Sequence, residues 1–397
     1  MTSEAGGLQL TGSQVGTIYS ANSAATLVLM LLYGTIQDRL DLKRNVTIVI
    51  SALMALVGPF AIFVYKPLLE NNFGLGVALG SVFIAAAFVG STGLFEAFVE
   101  RLSRRNGFEF GQARMWGSFG YAIVALIAGF LFTRDPDLNF WAGSVLGHAL
   151  LLVQLLWRPR GAEQPVAGQV LPSTPGVREM AGLLKRRSLW VVIGFVILSW
   201  TFYTVYDQQM FPDFYTSLFD DPAVGQQTYG ALNSAQVFLE ALMMGAVTVV
   251  MRHVGVRNTL LLGVSVMFVR ILGTAVLDGP VLISIVKMLH AFEVPLFVLG
   301  IFRYFTLHFS TGLSATLYLV GFNISAQIGN VVLSRPLGAL RDQLGYQPTF
   351  LVIAGVVALA AVYALVLLEK DDRQVLGEPF VRGRAPKPEA ADEPAAV

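Results

Sequence analysis

The chain contains no cysteine, and charged residues make up only 13% of its 397 residues. Without cysteine the chain forms no disulfide and no thiolate metal site. Soluble domains average about 25% charged residues, so the low charge argues against an ordinary soluble enzyme. The formal net charge is only +1, which gives no indication of a nucleic-acid partner.

Long apolar stretches without charged residues are the main feature of the sequence. Apolar residues make up 55% of the chain, and several stretches approach or exceed the roughly 17–25 residues that cross a bilayer as a helix. They do not alternate between polar and apolar residues, as the strands of a membrane barrel do. The sequence therefore predicts an all-α integral membrane protein with eleven membrane-spanning helices. They are predicted near residues 12–38, 45–65, 74–100, 111–133, 139–157, 188–218, 226–251, 258–278, 280–302, 312–340 and 347–368.

The basic residues indicate how these helices are oriented. When the loop at 39–44 is assigned to the cytoplasm, cytoplasmic segments hold 20 of the 27 Lys and Arg residues and outside segments hold 3. Cytoplasmic loops of membrane proteins carry such an excess of positive charge. The distribution predicts a multi-pass membrane protein and gives the orientation of its helices.

A basic segment rich in Pro and Gly divides the chain into two halves. A weak internal repeat supports the division, because basic loops at 38–44 and 252–258 occupy matching places in the two halves. The polar C-terminal tail is predicted to be disordered. The predicted parts are an N-terminal bundle of five helices at 1–157, a cytoplasmic linker at 158–187, a C-terminal bundle of six helices at 188–368 and a cytoplasmic tail at 369–397.

An odd number of helices is unusual for a chain with two matching halves. The sequence begins Met1-Thr-Ser-Glu without an apolar run, and this end is predicted to lie outside the cell. We therefore expect a further apolar helix of about 20 residues to be encoded upstream, lost through truncation or a late start codon. The alternative is a protein that genuinely has eleven membrane spans.

Ionisable side chains inside the predicted helices are few and clustered. An ionised residue at mid-bilayer costs about 2.5–3.5 kcal/mol on insertion scales, so these residues are expected to pair, to face the bundle interior or to serve function. Glu100 and Arg335 lie near helix ends, where a satisfied structural role is favoured. The residues concerned are Glu96, Glu100, Arg114, Asp207, Glu240, Arg270, Lys287, His290, Glu293 and Arg335.

Lys287, His290 and Glu293 are spaced three residues apart and share one slanted stripe of a predicted helix. A cation, a titratable imidazole and a carboxylate together exceed what packing requires, so the stripe predicts a proton relay. Glu293 is the predicted proton carrier, and an approaching Arg270 would release its proton. A stripe of satisfied structural pairs is the alternative.

Glu96 and Arg114 predict a sugar site in the first half, because a carboxylate and a guanidinium can face one cavity. The carboxylate accepts hydrogen bonds from sugar hydroxyls, and the guanidinium donates them in a fixed fork. Ser118 and Tyr121 follow one and two turns after Arg114. The ring of Tyr121 can stack on the apolar face of a pyranose, although a packing role for this ring remains open.

These same stretches closely resemble the oligosaccharide:proton symporters of the major facilitator superfamily, the family of lactose, sucrose, raffinose and melibiose permeases. One stretch runs from Glu96 to Tyr121, and the other is Lys287-Met-Leu-His290-Ala-Phe-Glu293-Val-Pro. The resemblance extends from about Thr11 to Leu368. Shorter matches are Asp207-Gln-Gln and the conformational loop motif Gly34-Thr-Ile-Gln-Asp38-Arg39.

The resemblance implies the major facilitator fold, in which two six-helix bundles surround a central cavity that opens to each side of the membrane in turn. A full-length member has twelve helices. The resemblance implies sugar contacts, a group of proton-coupling residues and a structural ion pair. The implied sugar contacts are Glu96, Arg114, Ser118, Tyr121 and His290; the coupling residues are Glu293, Arg270, His290 and Tyr203; the ion pair is Asp207 with Lys287.

The chain departs from the lactose permeases in its second half. An acidic sugar contact of those proteins aligns with Val237, and Glu240, one turn later on the same face, can take its role. An additional Asp–Lys pair aligns with Thr204 and Ala326, so that both partners are neutral and no buried charge is left unpaired. These changes resemble the sucrose permeases more than the lactose permeases, with raffinose and melibiose left open. Asp41, where the loop motif usually has Gly, bears only on the local turn.

The predicted function is the import of a disaccharide together with a proton across a cell inner membrane of the bacterial type, in a protein that is not an enzyme. No nucleophile–base pair, metal cluster or P-loop is apparent in the sequence. A non-transporting membrane sugar sensor is the alternative, although the presence of both His290 and Glu293 argues against it. The expected partners are a disaccharide, protons and the lipid bilayer, without nucleic acid or cofactor, and the protein is expected to be a monomer.

Overall fold

The computed structural model describes residues 8–37, 44–89, 91–92, 95, 99, 110–156, 185–309 and 317–371. Helices occupy all eleven predicted places, and the described ranges contain no strand. The predicted linker falls largely outside these ranges, as does nearly all of the predicted tail. The helices are α1 (Gly12–Gln37), α2 (Arg44–Ala55, then Val57–Asn71 after a 52° bend), α3 (Phe73–Val89), α4 (Phe110–Arg134), α5 (Asp137–Leu156), α6 (Arg187–Thr216), α7 (Pro222–Val254), α8 (Val256–Val276), α9 (Pro280–Lys287 and His290–His308), α10 (Leu319–Ile324 and Ser325–Leu344) and α11 (Tyr346–Leu367).

Local sequence explains where several of these helices begin and end. The side chain of Asp221 accepts a hydrogen bond of 2.8 Å from the backbone N–H of Ala223, and Pro222 occupies the first turn of α7. Such a cap satisfies a backbone donor that the helix itself leaves unpaired. Gly255 and Gly345 have φ values of +88° and +84°. This left-handed backbone suits glycine, and it allows α7 to turn directly into α8 and α10 into α11.

Not every helix is apolar along its whole length. Among the described residues, six helices are long and apolar enough to cross a membrane, or seven when the bent α2 is one span. The helices α1 and α10 fall short because they carry polar side chains where they pack together; for example, the Ser20 hydroxyl lies 3.5 Å from the carbonyl oxygen of Asn330. Polar side chains in a membrane bundle face other helices or a water-filled cavity.

Two groups of buried apolar side chains organise the described helices. The larger group draws its residues from 189–368 and includes the stacked rings of Phe195 and Phe297, whose centroids are 5.5 Å apart. A smaller group includes Val15 and Ile18 of α1 together with Tyr65 and Val77. Between the two halves, α1 packs along α10 and α4 packs along α7. These contacts place the two helix pairs on either side of the space between the halves.

The contact between α1 and α10 is close because it is lined by glycines. A Cβ atom at Gly338 would overlap the carbonyl oxygen of Gly12, and one at Gly16 would overlap the carbonyl oxygen of Ser334. At the same end, the carboxylate of Asp342 accepts hydrogen bonds from the backbone N–H groups of Gly12 and Ser13 at 2.7 and 2.8 Å. The predicted orientation puts this end outside the cell, where the two halves are therefore held together.

We expect Gly338→Ala to push α1 and α10 apart, because the added methyl group meets backbone rather than a movable side chain. Overpacking of this kind destabilises by about 1–3 kcal/mol. The chain has no cysteine, so a pair of spin labels on introduced cysteines near the outer ends of α1 and α10 measures the separation. Gly355→Ala is the matched control, since a Cβ there meets nothing within 4 Å. An unchanged distance in Gly338→Ala would show that the contact is looser than the structure indicates.

Candidate functional site

A cavity of about 680 Å³ lies between the two halves. This volume falls within the roughly 300–1,000 Å³ of small-molecule sites. Side chains from α1, α4, α6, α7 and α9 form its wall, so both halves contribute. The lining residues are Tyr19, Gly117, Tyr121, Asp207, Gln208, Pro212, Tyr229, Asn233, Gln236, Val237, Glu240 and His290.

A fully buried arginine lies behind the charged part of this wall. Arg270 of α8 forms an ion pair with Asp207 of α6, and a second one with Glu293 of α9, whose Oε1 lies 2.5 Å from the Arg270 Nη1. The Arg270 and Glu293 side chains have no solvent exposure, whereas Asp207 reaches the cavity. A buried charge needs such partners, because removing one of them leaves an uncompensated ion. The predicted approach of Arg270 to Glu293 is therefore present in the structure.

His290 connects this ion cluster with the cavity. Its Nδ1 atom lies 2.5 Å from the Tyr203 hydroxyl and 3.1 Å from the Arg270 Nη1. Its Nε2 atom lies on the other side of the ring, 3.9 Å from a carboxylate oxygen of Glu240. The imidazole thus touches the buried arginine through one nitrogen and faces a cavity-lining carboxylate through the other. A histidine placed in this way can transmit a change in the cavity to the ion cluster.

The carboxylate of Glu293 is held through only one of its oxygens. Oε1 accepts from Arg270 and lies 3.4 Å from the His290 Nδ1. The other oxygen, Oε2, is buried and has no hydrogen-bond partner among the described residues. A buried acceptor without a partner is uncommon and calls for an explanation. An oxygen in this position is chemically suited to receive a proton.

The predicted ion pair between Asp207 and Lys287 is not formed in the structure. The Lys287 Nζ instead donates a hydrogen bond of 2.7 Å to the amide oxygen of Gln236. The ammonium also lies 5.0 Å from the ring centroid of Phe211 and 5.3 Å from that of Tyr229, where cation–π attraction stabilises it. Lys287 is thereby held buried by an amide and two aromatic rings, while Asp207 pairs with Arg270.

Two irregularities in the helices explain why Asp207 pairs with Arg270 and not with Lys287. The regular helix of α9 stops at Lys287 and resumes at His290, so Lys287 is not on one continuous stripe with His290 and Glu293. Asp207 lies in a π-helical turn of α6 that runs from Val205 to Met210. A π turn inserts an extra residue into the helix and changes the direction of the side chains around it. Neither the break in α9 nor the π turn in α6 can be recognised from the sequence spacing of Lys287, His290 and Glu293.

The predicted site residues of the first half are only partly covered. Glu96 and the loop residues Asp38 and Arg39 lie outside the described residues. Gly34 belongs to α1, and Arg114 and Ser118 belong to α4, but the described part does not include these side chains. Tyr121 is described: its side chain is 56% exposed and lines the cavity, where a sugar ring could stack on it.

Other lining residues did not emerge from the sequence as candidates. Asn233 donates a hydrogen bond of 3.4 Å to the Tyr121 hydroxyl, and Tyr19 donates one of 3.1 Å to the backbone carbonyl of Gln208. Gln236, which binds Lys287, also lines the cavity. A signal for two of them was available, because Asn233, Gln236 and Glu240 are spaced at i, i+3 and i+7 and therefore share one face of α7.

Solved structures similar to this chain are membrane transporters. The nucleoside transporter NupG superposes with a TM-score of 0.77 at 16% sequence identity, covering 91% of this chain and 92% of that one. A D-xylose-proton symporter gives a TM-score of 0.65 at 12% identity, with 91% and 89% covered. At these identities the likeness shows the fold alone, which is the all-α fold of the major facilitator transporters.

Sequence comparisons are more specific. Residues 4–380 match the family profile described as LacY proton/sugar symporter. A sucrose permease of Escherichia coli is 41% identical over 375 residues, which cover 94% of this chain and 89% of that protein. A raffinose permease of Escherichia coli is 37% identical over 367 residues (91% and 86% covered), and a lactose permease of Klebsiella oxytoca is 34% identical over 365 residues (91% and 87% covered). The chain thus belongs to the LacY family of proton/sugar symporters, which are multi-pass membrane transporters and not enzymes.

Proposed function

We propose that this protein imports a disaccharide with protons across a bacterial inner membrane by alternating access, and that its preferred substrate is sucrose. The observation that carries the proposal is the buried Arg270, which binds the Glu293 carboxylate and contacts His290 at the cavity wall. The cluster links a titratable site to a sugar-sized cavity. A protein that only sensed sugar would need the cavity but not this connection.

The sugar is held from both halves in this proposal. Glu240 accepts hydrogen bonds from sugar hydroxyls, and the His290 Nε2 lies beside it. Tyr121 provides an aromatic face from α4. Glu96 and Arg114 complete the site according to the family resemblance, and Ser118 lies one turn beyond Arg114.

The proton step involves the other end of the histidine. The Arg270 N–H groups always donate, so the His290 Nδ1, 3.1 Å from the Arg270 Nη1, serves best as an acceptor. The ring proton then lies on Nε2, towards Glu240 and bound sugar. When Glu293 is protonated its hold on Arg270 weakens, and Asp207 remains to pair with the guanidinium. Loss of that proton restores the arrangement seen in this structure.

Sucrose is favoured by the second-half wall of the cavity. Val237 lines the cavity without a charge, and Glu240 supplies the carboxylate one turn further along α7. The Thr204 hydroxyl lies 2.9 Å from the backbone carbonyl oxygen of Thr201 and 3.1 Å from the Asn330 amide oxygen, and Ala326 is buried, so this region needs no ion pair. The relative that is 41% identical is a sucrose permease, which is consistent with this choice.

A transport panel tests the proposal. Purified protein in proteoliposomes is expected to exchange sucrose faster than lactose, melibiose or raffinose in counterflow. In cells expressing the protein, added sucrose is expected to make the medium alkaline as protons enter with the sugar. Binding without any flux would favour the sensor. Rapid lactose exchange without sucrose exchange would overturn the substrate assignment and leave sugar/proton symport intact.

A further inference from the structure

The cavity wall on α7 extends well beyond the residues that serve the charged cluster. Asn233, Gln236, Val237 and Glu240 all line it. A helix rises about 1.5 Å per residue, so Asn233 lies about 10 Å along α7 from Glu240. One sugar ring held at Glu240 and His290 does not extend that far, whereas two linked rings do.

Besides Asn233, the cavity wall carries other uncharged hydrogen-bonding side chains. Tyr19 of α1, Tyr121 of α4 and Tyr229 of α7 also line the cavity. Among the described residues, the Asn233 side chain makes one hydrogen bond, to the Tyr121 hydroxyl at 3.4 Å. A bond this long is weak, so the hydroxyl groups of a ligand can replace it at little cost. The amide offers two donors and one acceptor, which suits a ring carrying several hydroxyls.

We propose that Asn233 is a specificity-determining residue that binds the second ring of the transported disaccharide, the ring that Glu240 and His290 do not hold. This inference rests on the proposed function, and it names the subsite that distinguishes a disaccharide from its component sugars. Sugar entering the cavity takes over the Asn233 amide from Tyr121.

The alternative role for Asn233 is structural, as a clamp between α4 and α7. The geometry makes that role weak, because the side chain is only half-buried and its single hydrogen bond is exposed to the cavity. Close backbone contact between Gly129 of α4 and Gly230 of α7 already joins these helices: a Cβ at Gly230 would lie 2.9 Å from the Gly129 Cα. The two helices therefore do not depend on Asn233 to pack.

The test compares sugar binding by purified wild-type protein and by Asn233→Leu, in which a side chain of similar size lacks hydrogen-bonding groups. The probe is whichever of sucrose, lactose, melibiose and raffinose the wild type binds most tightly, together with the monosaccharides that compose it. The expected result is about a tenfold loss of affinity for the larger sugar, corresponding to one good hydrogen bond. Monosaccharide affinity should change less than twofold, which also shows that the variant is folded.

Two further variants separate the possible roles. Ser234→Ala, on the neighbouring position that does not line the cavity, is expected to bind all of these sugars as the wild type does. Tyr121→Phe removes the partner hydroxyl; if Asn233 binds sugar directly, this variant still discriminates between disaccharide and monosaccharide. If Tyr121→Phe instead reproduces the selective loss of Asn233→Leu, Asn233 acts only by holding Tyr121 and the proposal is wrong.

The outcomes also separate this inference from the proposed function. Equal losses for both kinds of sugar in Asn233→Leu, or no loss for either, would overturn the second-ring subsite while leaving disaccharide transport in place. A wild-type protein that binds none of the four sugars would overturn the proposed function and this inference with it.

Discussion

Glu293→Gln is expected to bind and exchange sugar but to lose accumulation of sugar driven by a proton gradient. Glutamine has the shape of a protonated glutamate and can neither take up nor release a proton. Its amide oxygen can still accept from Arg270, and Asp207 remains as the counter-ion of that arginine. The substitution therefore leaves no buried charge unpaired, so the variant should fold. Exchange does not require the proton to leave, whereas net uphill uptake does.

The decisive measurement compares counterflow and active accumulation in the same proteoliposomes. Counterflow should proceed near the wild-type rate, while the internal sugar concentration under a proton gradient should rise no higher than the external one. Glu70→Gln is the matched control, since Glu70 is exposed at the end of α2, and it should accumulate sugar normally. If Glu293→Gln still accumulates sugar, the proton site lies elsewhere, and Glu240 and Asp207 become the next candidates.

The helices were predictable from the sequence because the bilayer imposes strong constraints. Every backbone group in the membrane must be paired within its own segment, so a long apolar stretch predicts a helix. Basic residues collect in the cytoplasmic loops, so their positions indicate how the helices are oriented. The predicted helix near 226–251 is observed as Pro222–Val254, and that near 347–368 as Tyr346–Leu367. The π turn of α6 at Val205–Met210 was not predictable, because it depends on how this helix packs against its neighbours rather than on its own composition.

The partners of the buried charges were predicted only in part. The contact between Arg270 and Glu293 was indicated by their opposite charges and by the family resemblance, and the two side chains do form an ion pair. The partner of Lys287 was not predictable in this way, because an amide and two aromatic rings replace the carboxylate. Whether Asp207 pairs with Arg270 or with Lys287 depends on the direction of the Asp207 side chain. The π turn that contains Asp207 changes this direction by adding about one residue to the helical turn.

Arg270→Met is expected to have a larger effect on stability than any other single substitution in this cluster. Arg270 is fully buried and pairs with both Asp207 and Glu293. Methionine leaves two carboxylates without their cation, and breaking a buried pair in this way typically costs about 3–5 kcal/mol. Thermal unfolding in detergent should show a strongly lowered transition temperature, and uphill sugar transport should be lost. Arg270→Lys should recover only part of the stability, because an ammonium lacks the two-sided fork that reaches both carboxylates.

A triple variant shows whether the loss of stability and the loss of coupling have separate causes. Combining Arg270→Met with Asp207→Asn and Glu293→Gln removes all three charges, so no buried ion is left unpaired and most of the stability should return. Sugar binding and counterflow should return with it, because Glu240 and Tyr121 are unchanged. Accumulation driven by protons should remain absent, since no group is left at this position to carry the proton. If the triple variant is as unstable as Arg270→Met, the arginine stabilises the protein mainly through its contacts with the rings of Tyr203, Tyr206 and Phe211, which lie 5.2–5.6 Å from its guanidinium carbon.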